Sequence, residues 1–240
     1  MRWGVFCRKK ERLMQKIKKF FLKIYCWICK LAIVGGIRVI FRPKVRYINK
    51  EVLKEYKKKP AIFIINHTTL YDGIFMFSLL NSYKANILIA KDWYEKKGFK
   101  TILEGNRAIP LDRNGLDTNW LRASVKAVKK GESICIFPEG HRSKMDTLDT
   151  FKSGFTLLAQ MTGAPIIPVY LSGEYSKFIG KRKQVLFGEP MTLTPTANGM
   201  AADYLEAESE RFRQHMLGME VQSEKVFGKK CVAKAEVQHT

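Results

Sequence analysis

The feature that most constrains the fold is the stretch AIFIINHTTLYDG, which covers residues 61–73. Its first five residues, Ala61 to Ile65, are apolar and rich in β-branched side chains, a pattern typical of a strand buried on both faces. A polar turn follows at once, and a second apolar run begins at Gly73. An open α/β sheet places its chemistry at such a point, where a buried strand ends and a helix begins.

The polar turn carries a histidine and an aspartate, His67 and Asp72. Histidine has an unperturbed pKa near neutrality, so it can take a proton at physiological pH. A carboxylate bonded to one ring nitrogen fixes the tautomer and raises the basicity of the other nitrogen. The spacing does not suit a helical pair, so we expect His67 on the loop and Asp72 at the helix start. A local hydrogen bond without catalysis would leave the same pattern, and the pair alone does not identify an enzyme.

Further apolar runs predict the remaining strands, and segments between them predict helices. We therefore expect an α/β protein with a mixed, largely parallel sheet flanked by helices. No glycine-rich nucleotide loop of the GxGxxG or GxxxxGK type occurs, which argues against nucleotide hydrolysis. The predicted strands are 86–90, 134–137, 164–171 and 184–187, a further short apolar segment that ends in an arginine covers 108–113, and the predicted helices are 51–59, 74–80, 92–105, 117–131, 153–162 and 204–217.

Four blocks in this order resemble the glycerolipid acyltransferase family, in particular 1-acylglycerol-3-phosphate acyltransferases. The first block of that family is Asn-His, four residues, Asp; the second ends in an aliphatic residue, Asp and Arg. The third is Phe-Pro-Glu-Gly-x-Arg-Ser, and the fourth is an apolar strand with proline. The first and third are the specific ones. The matching residues are Asn66, His67 and Asp72, then Leu111 to Arg113, Phe137 to Ser143, and Ala164 to Leu171.

The resemblance implies acyl transfer from a thioester to the free hydroxyl of 1-acylglycerol 3-phosphate, which gives phosphatidic acid. His67 would act as general base and Asp72 would orient it, with direct attack by the acceptor hydroxyl and no acyl-enzyme. The acyl donor, coenzyme A or acyl carrier protein, cannot be read from the sequence. No metal or further cofactor is expected.

The acceptor phosphate requires fixed cations, and arginine's planar fork suits phosphate. Arg113 and Arg142 are the expected phosphate ligands, with Lys152 and His141 as weaker candidates. Glu139 would hold either an arginine or the acceptor hydroxyl, and the sequence does not decide between them. Gly140 would let the backbone approach the ligand, since it has no side chain. All of these residues are expected in the substrate-binding part of the site.

The chain has 43 Lys and Arg against 22 acidic residues, a formal charge of +21, and residues 1–60 hold 19 of the basic and 3 of the acidic residues. Such an excess indicates an anionic partner, either nucleic acid or a membrane surface. Within it, apolar residues follow helical steps on one face and lysines follow the same steps on another, as in helices that lie on a membrane surface. The apolar residues are Leu13, Ile17, Phe20, Ile24, Ile28 and Leu31, and the lysines are Lys16, Lys19, Lys23 and Lys30.

This arm is predicted to lie in the plane of an anionic membrane, with Tyr25 and Trp27 at the headgroup level. Its longest uncharged run, Leu31 to Ile37, is seven residues, well short of the roughly 18 expected of a spanning helix. A shallow or hairpin-like insertion continuing through Gly35 and Gly36 is the alternative. The expected location is therefore a membrane, monotopic or peripheral on the cytoplasmic face. The five cysteines indicate reduced thiols of an intracellular protein.

The sequence thus predicts a membrane-associated helical arm at 1–45, an α/β acyltransferase domain at 46–217 and a mobile tail at 218–240. An acyltransferase that acts on glycerol 3-phosphate or another lysolipid is the nearest alternative. A basic nucleic-acid-binding protein is an alternative of another class. It would share the charge, but the excess lies on a helix with a large apolar face, and the four blocks would be accidental. We therefore expect a lysophospholipid acceptor and an anionic membrane surface as partners, and no nucleic acid.

Overall fold

The computed structural model describes residues 2–96, 100–112, 117–142, 148–175, 182–196 and 199–228, with side chains from residue 14 onward. The described helices are α1 (Arg2–Phe41), α2 (Lys50–Glu55), α3 (Asp72–Leu79), α4 (Lys91–Tyr94), α5 (Lys100–Glu104), α6 (Asn119–Lys129), α7 (Gly154–Thr162) and α8 (Ala202–Phe227). The described strands are β1 (Lys44–Tyr47), β2 (Ile62–Ile65), β3 (Asn86–Ala90), β4 (Ala108–Leu111), β5 (Ile134–Ile136), β6 (Ile166–Ser172) and β7 (Gln184–Phe187).

These strands form one sheet in the order β1-β7-β6-β2-β5-β3-β4. All neighbouring pairs are parallel except β6 and β7, which are antiparallel. The prediction of a mixed, largely parallel sheet flanked by helices is therefore confirmed. The antiparallel direction of β7 matters for the site. It places the amino end of β7 beside the carboxyl ends of β2 and β6.

The strand β2 lies near the middle of the sheet, and all four of its residues are fully buried. Ile62 and Ile64 pack in the core between the sheet and α6, α7 and α8. Phe63 and Ile65 pack in the core on the other face, towards α1, α2 and α3. This alternation explains the continuous apolar run, since a strand covered on both faces exposes neither set of side chains.

One strand and one boundary differ from the prediction. The strand β1 was not predicted, because its sequence KVRY alternates in burial at the edge of the sheet and has only four residues. The predicted end of the folded part at residue 217 is wrong, since α8 continues to Phe227. Met219 is 1% exposed and packs in the core together with Met216. The polar residues between these apolar contacts hid the helical period. Residues 229–240 lie outside the described part of the chain.

The N-terminal helix α1 is continuous across Gly35 and Gly36, so the hairpin-like alternative is wrong. Its segment Met14–Phe41 is long and apolar enough to cross a membrane, by length and composition alone. The expectation that no such segment exists relied on uninterrupted apolar runs and is corrected here, because isolated charges do not bring the average hydropathy below that of membrane spans. The helix also packs on the domain: Cys26 and Phe41 are buried, and the Ser78 Oγ atom donates to the Val34 carbonyl over 3.0 Å.

Candidate active site

The turn after β2 brings His67 and Asp72 into direct contact. The Nδ1 atom of His67 lies 3.1 Å from Oδ2 of Asp72. Asp72 is the first residue of α3 and is completely buried, whereas the His67 side chain keeps 21% of its surface exposed. The chain turns between the two residues, as their spacing predicts. With Nδ1 held by the carboxylate, Nε2 is the nitrogen that can exchange a proton with a substrate.

The Asp72 carboxylate accepts hydrogen bonds from several further groups. The backbone amides of Thr68 and Thr69 each donate to Oδ2 over 2.7 Å, and the Thr69 hydroxyl donates to Oδ1 over 2.9 Å. Tyr175 donates its hydroxyl to Oδ1 over 2.7 Å. These donors surround both oxygens and fix the orientation of the carboxylate. A buried carboxylate with this many donors is held in its ionised form.

A buried lysine lies next to this group. Lys183 is 2% exposed, and its Nζ atom donates to the Thr68 hydroxyl over 3.0 Å and to the Gly173 carbonyl over 3.2 Å. The same ammonium lies 4.7 Å from the centre of the Tyr175 ring. Burial alone would raise the pKa of Asp72, but the hydrogen bonds from His67, Thr69 and Tyr175 and the charge of Lys183 together lower it below its usual value.

Glu139, from the third block, holds the backbone of the histidine by a hydrogen bond. Its Oε1 atom accepts the backbone amide of His67 over 2.8 Å, and its Oε2 atom accepts that of Asp149 over 3.4 Å. The residue is 1% exposed, and burial raises the pKa of its carboxyl group. Phe137 lies against the other side of the histidine, with ring centres 4.5 Å apart. The position of Glu139 is thus that of a residue that holds the histidine loop, a role that the sequence does not indicate.

The other residues that the sequence predicts to bind the substrate differ in exposure and in their contacts. Gly140 has a φ of +72°, and a Cβ atom there would come within 3.0 Å of the Lys152 side chain. The left-handed backbone therefore favours glycine at this turn, whereas the exposed Lys152 side chain can move away from a Cβ atom. Arg142 and Lys152 are exposed, and His141 pairs with Asp149 over 3.0 Å at the surface. Arg113 lies outside the described residues.

The topology explains why distant residues meet at this site. His67 and Glu139 follow β2 and β5, which are adjacent and parallel, so both lie at one edge of the sheet. Tyr175 follows β6 at that edge, and Lys183 precedes the antiparallel β7. Tyr175 and Lys183 were missed by the sequence analysis. They are separated from their partners in the turn by 103 and 115 residues, and no local motif marks them.

Comparisons with known proteins identify the family of this chain. The sequence model of the acyltransferase family matches residues 44–172, more than half of the chain. The chain belongs to the acyltransferase family. The matched region runs from β1 to the end of β6 and contains His67, Asp72 and Glu139. The resemblance found in the four blocks is therefore confirmed.

Curated relatives of this family member include two named 1-acyl-sn-glycerol-3-phosphate acyltransferase. One, from Cocos nucifera, is 35% identical over 58% of this chain and 45% of its own length. The other, from Bacillus subtilis, is 25% identical over 79% of this chain and 91% of its own length. The chain therefore spans less than half of the coconut protein and most of the bacterial one.

A solved structure has the same fold. It is the 1-acyl-sn-glycerophosphate acyltransferase of Thermotoga maritima, which aligns with a TM-score of 0.57 over 87% of this chain and 98% of its own. The sequence identity is 18%. The likeness supports the assignment of the fold.

Proposed function

We propose that this protein is an O-acyltransferase that transfers an acyl group from a thioester to the free hydroxyl of 1-acylglycerol 3-phosphate, giving phosphatidic acid. The observation that carries the proposal is the bond between His67 and the buried Asp72 within a family motif. The names of the relatives from Cocos nucifera and Bacillus subtilis support the choice of acceptor. Glycerol 3-phosphate and other lysolipids remain the alternative acceptors to be assayed.

In the proposed reaction, His67 acts as general base. Its Nε2 atom takes the proton of the acceptor hydroxyl as the oxygen attacks the thioester carbonyl. The carbon–sulfur bond then breaks, and the imidazolium returns the proton to the departing thiolate. Asp72 holds the tautomer and stabilises the imidazolium. Glu139, Tyr175 and Lys183 act on this pair through hydrogen bonds and charge, and they do not need to contact the substrate.

The acceptor phosphate is proposed to bind Arg142, together with Arg113 from the second block. Arg142 is exposed and belongs to the same block as Glu139, which supports the His67 loop from the buried side. A guanidinium at this place can offer two parallel hydrogen bonds to a phosphate. The Lys152 side chain lies next to Gly140, and its ammonium group is a further candidate ligand of the phosphate.

We propose that α1 binds the protein to the cytoplasmic face of an anionic membrane. Its outward face carries exposed apolar side chains, among them those of Phe20, Ile24, Ile28 and Leu31, which are 38–61% exposed. The opposite face packs on the domain through Cys26 and Phe41. A helix arranged in this way can lie in the interface with the domain above it. Such a position would present the site to a lysophospholipid without removing it from the bilayer.

The test is an assay of the purified full-length protein with acyl-coenzyme A and with acyl-acyl carrier protein. Each donor is offered with 1-acylglycerol 3-phosphate, with glycerol 3-phosphate and with a lysolipid that lacks the phosphomonoester. We expect 1-acylglycerol 3-phosphate to be the preferred acceptor. Replacing His67 with alanine should lower turnover by at least ~10²-fold, the usual scale for a positioned general base. A folded His67→Ala protein with turnover near wild type would remove His67 from the mechanism.

A further inference from the structure

A second feature lies on the face of the sheet that packs against α1. A cavity of about 600 Å³ opens between the end of α1, the edge strand β1 and the end of α3. Four cationic side chains line it, from Arg38, Arg42, Lys57 and Arg182. Among the described residues that line the cavity, none is acidic and none belongs to the His67–Asp72 pair.

These cations come from three separate parts of the chain and still converge. Arg38 and Arg42 lie at the end of α1, Lys57 follows α2, and Arg182 precedes β7. Within the described residues, no carboxylate forms an ion pair with any of them. Four like charges around one cavity repel one another unless an anion is present, because like charges close together are unfavourable.

The backbone at Arg42 adds a second observation. Its φ is +40°, in the left-handed region that glycine or asparagine usually adopts after a helix. An arginine in this conformation is strained, and strain of this kind is commonly retained where a side chain has a functional position. Here the conformation ends α1 and leaves the half-buried Arg42 side chain in the cavity wall.

The position of the cavity indicates what it holds. Val39, which lies between Arg38 and Arg42 in the sequence, is 66% exposed. It extends the outward apolar face of the helix to the turn that carries the cations. The lining also contains Tyr47 and Tyr83, whose hydroxyls can donate hydrogen bonds, and the volume lies within the usual range of ligand-binding clefts.

We propose that this cavity is a binding site for the phosphate headgroup of an anionic membrane phospholipid, separate from the catalytic site. The arginine forks of Arg42 and Arg182 would bind the phosphodiester oxygens, while the lipid chains would run along the apolar face of α1. A bound headgroup would fix the end of α1 on the domain at the membrane surface. The site does not depend on which reaction the His67 pair performs.

The test uses the full-length protein and a short-chain phosphatidylglycerol below its micelle concentration. The readout is acetylation of individual lysines, located by mass spectrometry. Binding in the cavity should protect Lys57 and leave Lys126, on the far face of the sheet, unprotected. Short-chain phosphatidylcholine should protect neither residue. The variant Arg42→Asn with Arg182→Gln should require at least ~10-fold more phosphatidylglycerol for the same protection, since two charge-assisted contacts are lost. Asparagine tolerates the backbone at position 42.

The matched control removes the same charge from the other face, with Lys126→Gln and Lys129→Gln. It should bind phosphatidylglycerol as the wild type does. Equal protection of Lys57 and Lys126 in the wild type would mean general surface shielding and would overturn the proposal. Protection of Lys57 by inorganic phosphate at the same concentrations would mean an anion site without lipid preference, and it would overturn the choice of ligand. These outcomes do not depend on acyltransferase activity, because the readout is the protection of lysines and not turnover.

Discussion

At the scale of single residues, the carboxylate of Asp72 is the centre of the site. It accepts from a histidine, from backbone amides and from Tyr175, and a buried lysine lies beside it. Each donor stabilises the charged form, so the carboxylate remains ionised although it is fully buried. The histidine can therefore gain a proton next to a fixed negative charge, which favours the proposed action of His67 as a base.

Replacing Tyr175 with phenylalanine should weaken the orientation of Asp72 while keeping the ring contacts with Phe41 and Phe75. A hydrogen bond to a charged group contributes about 1.5–3 kcal/mol, so turnover should fall by roughly 10-fold or more. The KM values for both substrates should change little, because Tyr175 acts through Asp72. Tyr204→Phe, which removes a hydroxyl far from the site, is the control. Equal losses in both variants would show that the effect is a general one.

Replacing Lys183 with methionine should change the acid stability of the protein. A lowered carboxyl pKa contributes stability that is fully present above the unfolded value, about 3.9 for aspartate. That contribution is lost as the pH falls through the folded value, which is lower. Without Lys183 the folded-state pKa of Asp72 should rise towards the unfolded one. The stability difference between the two proteins should then contain a part that shrinks as the pH falls below about 4.

The measurement for this variant is urea unfolding of both proteins at several pH values from neutral to acid. Glu139 has a raised pKa and therefore the opposite dependence, with stability falling as the pH rises. Its contribution is present in both proteins and largely cancels in the difference. A difference that stays constant across the whole range would mean that Lys183 does not act on Asp72.

At the scale of elements, α1 is held on the domain by a close contact at Gly105, just after α5. A Cβ atom at Gly105 would lie 2.8 Å from Cβ and 2.5 Å from Sγ of Cys26. The Asn106 side chain also donates to the Cys26 carbonyl over 3.4 Å. The helix therefore approaches α5 at a position where only glycine fits.

The variant Gly105→Ala should separate the two helices. Overpacking of this kind costs typically 1–3 kcal/mol, so the contact should open more often and expose the Cys26 thiol. We expect Cys26, which is 5% exposed, to react with a thiol reagent roughly tenfold faster or more. Gly218→Ala is the control, because a Cβ atom there meets nothing within 4 Å. Peptide mapping after brief labelling distinguishes Cys26 from the other cysteines.

Among the strands and site residues, some could be predicted from the sequence and others could not. Buried strands such as β2, β3 and β7 have continuous apolar runs with clear ends, and His67 and Asp72 lie in one short turn, so both could be found. The strand β1 alternates in burial at the edge of the sheet, so it could not be found in this way. Tyr175 reaches Asp72 because β6 pairs in parallel with β2, and Lys183 reaches the same turn because β7 runs antiparallel to β6. Pairing direction leaves no mark in a single strand.

At the scale of the whole molecule, the apolar outward face of α1 and its lysines define how the protein should meet a membrane. Changing Phe20 and Ile24 to serine should weaken attachment to anionic vesicles at any salt concentration, because apolar burial does not depend on salt. Changing Lys16, Lys19 and Lys23 to glutamate should release the protein mainly at low salt, since the attraction of each lysine, about 1 kcal/mol, is screened. Vesicle flotation at two salt concentrations measures both effects.

These substitutions are cleaner than removal of residues 1–42. Cys26 and Phe41 are buried in contact with the domain, so a deletion would also uncover part of its core. Substitutions on the outward face leave that packing intact. If both variants bind vesicles as well as the wild type does, then the domain, and not α1, attaches the protein to the membrane.

The position of β1 also sets an order of events during synthesis. This strand leaves the ribosome directly after α1, yet its partner in the sheet is β7, with Lys44 opposite Gln184. Pairings between such distant segments form late, because a long loop must close first. The helix α1 can therefore meet a bilayer while most of the sheet is still untranslated. If α1 binds a membrane as proposed, the nascent chain is attached there first, and the strand that carries Lys183 into the site joins the sheet only near the end of translation.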